Sequence, residues 1–155
     1  MEAGQIMYAT GRKPDTANQG LENLGIALDH NGAVKVNQNY QTNIPSIYAI
    51  GDVTNRINLT PVALAEGMSL ANTLFGNGRN TVNYSNVPTC IFSQPNLATV
   101  GLTENQARAQ HDNIAVYKSI FTPMKLSLSN DDEKVFIKLI VDKDSNRVIG
   151  AHMVG

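Results

Sequence analysis

With 155 residues, 42% of them apolar and 16% charged, the chain is long enough for roughly one domain with a sizeable core and too apolar for a disordered tail. Twelve basic against thirteen acidic residues leave a net charge of −1, and no basic run exceeds the pair Arg12-Lys13, which excludes nucleic acid and anionic membrane as partners and leaves small molecules and protein. No apolar run approaches the roughly 20 residues that a bilayer demands, the first residues lack a secretion signal, and a single cysteine, Cys90, cannot close an intramolecular disulfide, so a soluble protein of a reducing compartment is expected.

Gln5 to Ala9 reads as a strand that leaves through Thr10-Gly11-Arg12 into the turn Lys13-Pro14-Asp15. Leu21, Leu24, Ile26 and Leu28 give a short helical turn ended by Gly25. Asp29-His30-Asn31-Gly32 is a hairpin-type turn before Ala33 to Val36. His30 has no second histidine or acidic partner at ligand spacing and reads as a solvated polar residue; the same holds for His111 and His152, so no metal site is expected.

Ile47 to Ile50 carries four apolar residues without alternation, the pattern of a short strand buried on both faces as in parallel sheets. It stops at Gly51, which lets a backbone or ligand approach, and Asp52, whose carboxylate suits sugar or ribitol hydroxyls at the carboxyl end of a strand. Thr60-Pro61 opens a helix, threonine as cap and proline in the first turn, with the amides of Val62 and Ala63 expected to point outward. Such a helix start carries partial positive charge and favours an electron-rich ligand edge.

The helix runs over 61–75, with Leu64, Met68, Ala71 and Phe75 on one face and Ala63, Gly67, Leu70 and Leu74 on the next, an apolar arc wide enough to predict burial on most sides. Gly76-Asn77-Gly78 stops it; following a helix, this is no dinucleotide fingerprint. A polar stretch from Asn80 to Asn86 follows. Pro88 to Phe92, Leu97 to Val100, Ile114 to Phe121, Lys134 to Val141 and Arg147 to Val154 read as strands, Thr103 opens a helix to about Gln110, and Lys125 to Asp132 is a polar loop, together an α+β module. Cys90, in the apolar run Thr89 to Phe92, is expected to be a buried, slowly reacting small hydrophobe.

The runs IYAIGDV and LTPVALAEG between Thr42 and Gly67 closely resemble the second FAD-binding signature of the pyridine nucleotide-disulfide oxidoreductases. Ala9 to Pro14, Asn86 to Pro88, Phe92 to Pro95 and Thr99 to Glu104 extend the resemblance over essentially the whole chain. The resemblance implies an α/β piece of an FAD-binding domain followed by an incomplete α+β interface, or dimerisation, domain. Residues 1–12 would close the NADPH-binding domain, 13–82 would be the C-terminal piece of the FAD-binding domain, and 83–155 the N-terminal part of the interface domain. It also implies cofactor contacts at Gly11, Arg12, Gly51, Asp52, Leu59, Thr60, Pro61 and, weakly, Cys90. By residue type alone Arg12 is a solvated arginine at a turn; the context favours a flavin contact.

Within the family the match is to the branch that reduces glutathione disulfide with NADPH. Rivals are the branch acting on trypanothione disulfide and a non-catalytic dimerisation or interaction module. Met68 departs from the basic residue that helps bind substrate in some members. The redox cysteine pair, the His-Pro base motif and the glycine-rich fingerprints are all missing, so no catalytic residue is assigned and these residues alone are expected to be an inactive fragment that does not retain FAD or NADPH. The remaining expectations are a small-molecule disulfide substrate, a homodimer through 86–155, and a cytoplasmic location, or an organelle if a transit peptide has been removed.

Overall fold

Asp29 closes a tight turn: its Oδ1 accepts the Asn31 and Ala33 amides, both at 2.8 Å, while its own amide donates to the Ala33 carbonyl at 2.8 Å. This is the local bonding that makes aspartate a turn residue, and the Ala33 N–H holds the Asp29 carboxyl below its ordinary range. In the computed structural model, which describes residues 3–78, 81–129 and 132–155, the chain divides into two units, one up to Val82 and one from Asn83.

The first unit packs Ile26, Ala33, Val34, Tyr40 and Val62 at its centre, with Thr16, Thr42 and Thr54 also buried. Its loops are tied by single bridges, Leu28 with Val34 and Gln41 with Tyr48, and by Thr16 Oγ1 donating to the Gly32 carbonyl at 2.7 Å. Two expected strands do not form. Residues 5–9 carry no ladder and lie exposed, and 47–50 are half-buried, bonded back to the preceding turn by Thr42 N–H to the Ile47 carbonyl and Ala49 N–H to the Tyr40 carbonyl, both at 2.9 Å. A parallel strand needs a partner strand reached by a long crossover, and no strand occurs among the described residues of this unit.

Helix α1 spans Thr60–Phe75. Leu59, not Thr60, holds the cap position, no side chain caps the helix, and Pro61 falls in the first turn, where its missing N–H costs nothing. The expected outward amides are corrected as well: Val62 and Ala63 both donate to the Leu59 carbonyl, at 3.0 and 3.1 Å. The burial of α1 also runs against its sequence. Leu64, Met68 and Phe75 are exposed, while Glu66 and Ser69 are only 1% and 2% exposed. The inward stripe is Val62, Glu66 and Ser69, spaced four and three apart on one helix face. Gly76 ends the helix with its amide on the Asn72 carbonyl at 3.0 Å.

The second unit is one antiparallel sheet of β1 (Thr89–Ile91), β2 (Leu97–Gly101), β3 (Ile114–Phe121), β4 (Val135–Asp142) and β5 (Arg147–Val154) in the order β1-β2-β5-β4-β3, with helix α2 (Glu104–Gln110). Thr103 caps α2 in a reciprocal box: its hydroxyl accepts the Gln106 amide at 3.3 Å and the Gln106 side chain accepts the Thr103 amide at 2.9 Å. Register places Thr99, His152 and Lys138 on one face, where Lys138 meets Glu104 of α2 at 2.8 Å and Ile140 and Ala107 are fully buried. Alternation turns Cys90, Ala98, Val100, Ile137, Ala151 and Met153 to the other face, which forms an apolar depression of about 280 Å³. Cys90 is therefore exposed, contrary to expectation: β1 is an edge strand of three exposed residues, and an apolar run there is covered only by whatever lies on that face. Asn80 and residues 130 and 131, parts of two expected loops, lie outside the described residues. A turn of 3₁₀ helix, Met124–Leu126, begins the second of these loops.

Candidate functional site

Gly51 to Thr54 is a 3₁₀ turn with Gly51 at φ 70°, a left-handed conformation that suits glycine. A Cβ on Gly51 would lie 3.1 Å from the Ala63 Cβ, so the glycine also permits close seating of α1. The turn is bonded on every side: Gly51 N–H donates to Glu66 Oε2 at 2.6 Å, Thr54 Oγ1 donates to the Gly51 carbonyl at 2.8 Å, and Asn55 N–H donates to the Asp52 carbonyl at 3.0 Å. Asp52 stays half-exposed, its carboxylate 3.7 Å from the Arg12 guanidinium.

Both side chains line a cleft of about 340 Å³ with Lys13, Pro14, Asp15, Val53 and Asn58. The lining offers cations, carboxylates and an amide and no aromatic surface, the chemistry that holds hydroxyls and phosphate oxygens. Its volume lies at the small end of ligand pockets and suits part of a dinucleotide rather than the whole. The exposed Arg12–Asp52 pair is worth little as a salt bridge, about 1 kcal/mol or less. A ligand can therefore share either partner at small cost.

The structure thus gathers Arg12 and Asp52 and sets Gly51 directly beside them. Gly11 precedes Arg12 at φ 114° and is exposed. Leu59, Thr60 and Pro61 do not line the cleft; they begin α1 just after Asn58. Cys90 belongs to the second unit and lines the apolar depression described above. Glu66 was not singled out by sequence; its signal is a carboxylate on the one face of α1 that also carries Val62 and Ser69.

Among the described residues no cluster of three or more histidine, cysteine, aspartate or glutamate side chains could hold a metal. His30 pairs with its neighbour Asn31 at 3.1 Å, and His111 lies 3.7 Å from Asp142, a carboxyl held below its ordinary range first by the Ser145 hydroxyl. His152 is more than a solvated residue. Its Nε2 lies 3.0 Å from the Leu102 carbonyl, which can only accept, so that nitrogen carries the proton, and Nδ1 meets Thr99 Oγ1 at 2.6 Å. These contacts tie β2 and the turn after it to β5.

Two family models match: pyridine nucleotide-disulphide oxidoreductase over residues 1–67, and the dimerisation domain of the same family over 87–155. The chain belongs to the pyridine nucleotide-disulphide oxidoreductases. As a member of that family it is 50% identical over 155 residues to a glutathione reductase of Burkholderia cepacia, covering all of this chain and 34% of that protein. It is 40% identical over 156 residues to a trypanothione reductase of Trypanosoma congolense, covering all of this chain and 32% of that protein. Among solved structures it resembles the HOCl-induced flavoprotein disulfide reductase RclA from Escherichia coli, with a TM-score of 0.86 and 34% identity over 94% of this chain and 34% of that one. The chain spans about a third of the length of the curated relatives it matches. No helix among its described residues is long and apolar enough to cross a membrane.

Proposed function

We propose that these residues are part of an FAD-dependent disulfide reductase that uses NADPH to convert glutathione disulfide to two glutathione molecules. The observation that carries this reading is the 50% identity to a glutathione reductase along the whole chain, joined to a polar cleft at the place where the sequence resembles an FAD signature. In this reading residues 1–12 end the NADPH-binding domain, 13–82 complete the FAD-binding domain, and 83–155 begin the interface domain through which two subunits pair. The pairing draws support from the dimerisation-domain match.

The residues present fit FAD in part. Asp52 would accept a hydrogen bond from a ribitol hydroxyl, and Arg12 would lie beside the cofactor with Gly11 and Gly51 leaving room for it. The start of α1 at Leu59, Thr60 and Pro61 would turn its positive end toward the ring edge that gains charge on reduction. With the Val62 and Ala63 amides committed to the Leu59 carbonyl, that end acts through the helix dipole and the Thr60 N–H rather than through a pair of free amides. Bound FAD supplies the route by which the electron pair from NADPH reaches a disulfide. Residues of this chain hold and orient it; none of them exchanges the thiol or moves its proton.

A second reading is a reductase of trypanothione disulfide, favoured by the 40% identity to such an enzyme and by Met68, where some glutathione-reducing members carry a basic residue. NADPH oxidation by the complete protein, measured with each disulfide in turn, separates them. Turnover with glutathione disulfide alone is expected. Turnover with trypanothione disulfide alone selects the second reading, and turnover with neither overturns both.

A further inference from the structure

Glu66 is 1% exposed on a helix whose Leu64 and Met68 face solvent, the reverse of what transfer energies favour. A buried carboxyl group needs a hydrogen-bond partner, and the Gly51 N–H, 2.6 Å from Oε2, is one. The bond reaches a peptide whose geometry is already demanding. Gly51 sits at φ 70°, its carbonyl takes the Thr54 hydroxyl, and the next carbonyl, of Asp52, takes the Asn55 amide. Holding the donor of one peptide and the acceptors of two fixes the backbone on both sides of the Asp52 Cα. The Asp52 side chain is thereby delivered to the cleft, while Glu66, buried behind the turn, has no path to a ligand there.

We propose that Glu66 is a positioning residue: through the Gly51 amide it sets the Asp52 carboxylate in the orientation that accepts a cofactor hydroxyl. The inference rests on the reading of Asp52 as an FAD contact. A residue that only filled space behind the turn would be as well served by leucine or methionine, which would leave the Gly51 N–H without its partner.

The test is a double-mutant cycle in the complete reductase, read as the FAD dissociation constant from the fluorescence of released FAD. Glu66→Ala is expected to raise that constant about tenfold, which corresponds to about 1.4 kcal/mol. Glu66→Gln, whose side-chain oxygen still accepts the Gly51 N–H, is expected to restore most of the affinity. In an Asp52→Ala background the Glu66→Ala loss should vanish, because the two residues act in series. If Glu66→Ala costs the same factor with and without Asp52, Glu66 merely stabilises the fold and the inference fails while the FAD reading stands. If Asp52→Ala itself leaves FAD affinity unchanged, the reading of Asp52 falls and this inference with it. Should Glu66→Ala not fold, the Glu66→Gln cycle decides: a smaller loss that disappears without Asp52 supports the role, and an unchanged loss overturns it.

Discussion

The Asp52 carboxylate lies 3.7 Å from the Arg12 guanidinium in one polar cleft, with both side chains largely open to solvent. Far apart in sequence, they are brought together by a glycine turn seated on the first two turns of α1. An exposed pair in this setting contributes little to stability, which leaves both groups available to a ligand.

Glu104 gives the second unit a pH dependence. Lys138 first, and then Arg108, hold its carboxyl at about 2 against an ordinary 4.5. A carboxyl depressed on folding contributes stability that is present above its unfolded value and lost as pH falls through its folded one. Thermal unfolding of the chain should therefore move to lower temperature as pH drops from about 4.5 toward 2, and Glu104→Gln should flatten part of that slope. An unchanged slope in the variant would mean that the contacts of Glu104 with Lys138 and Arg108 do not form in solution.

Cys90 should react under native conditions. It is exposed on edge strand β1, and access is one of the two controls on thiol reactivity. An aromatic disulfide reagent is expected to label it at a rate comparable to that of the unfolded chain. Labelling only after denaturant is added would show the face covered.

The second unit was largely legible because its signals are local. Alternation with turn residues on either side gave β3 and β5 with the boundaries the structure has, and Thr103 marked the start of α2. What failed in the first unit depended on partners that periodicity does not specify. Ile47 to Ile50 has the composition of a buried strand, but strand formation needs a neighbour to bond, and here the Ala49 amide returns to the Tyr40 carbonyl while the Ile47 carbonyl takes the Thr42 amide. Glu66 was missed for a related reason: hydrophobic patterning ranks a glutamate outward, whereas this one is buried with a carboxyl oxygen on the Gly51 N–H. Cys90 sits in an apolar run, yet residue type says nothing of whether a sheet face is covered. At the site, Gly51 and Asp52 stood out by residue type after an apolar run, and Arg12 only through the family resemblance; the commitment of the Val62 and Ala63 amides to Leu59 was not legible.

The most direct test of the central claim is FAD retention by the complete protein carrying Asp52→Ala, measured beside its thermal stability. Loss of one charge-assisted hydrogen bond predicts FAD binding weaker by about 1 to 3 kcal/mol. A half-exposed side chain outside the core predicts a stability change within about 0.5 kcal/mol. FAD held as tightly as in the unsubstituted protein, with only the unfolding temperature lowered, would contradict the assignment of this cleft to the cofactor.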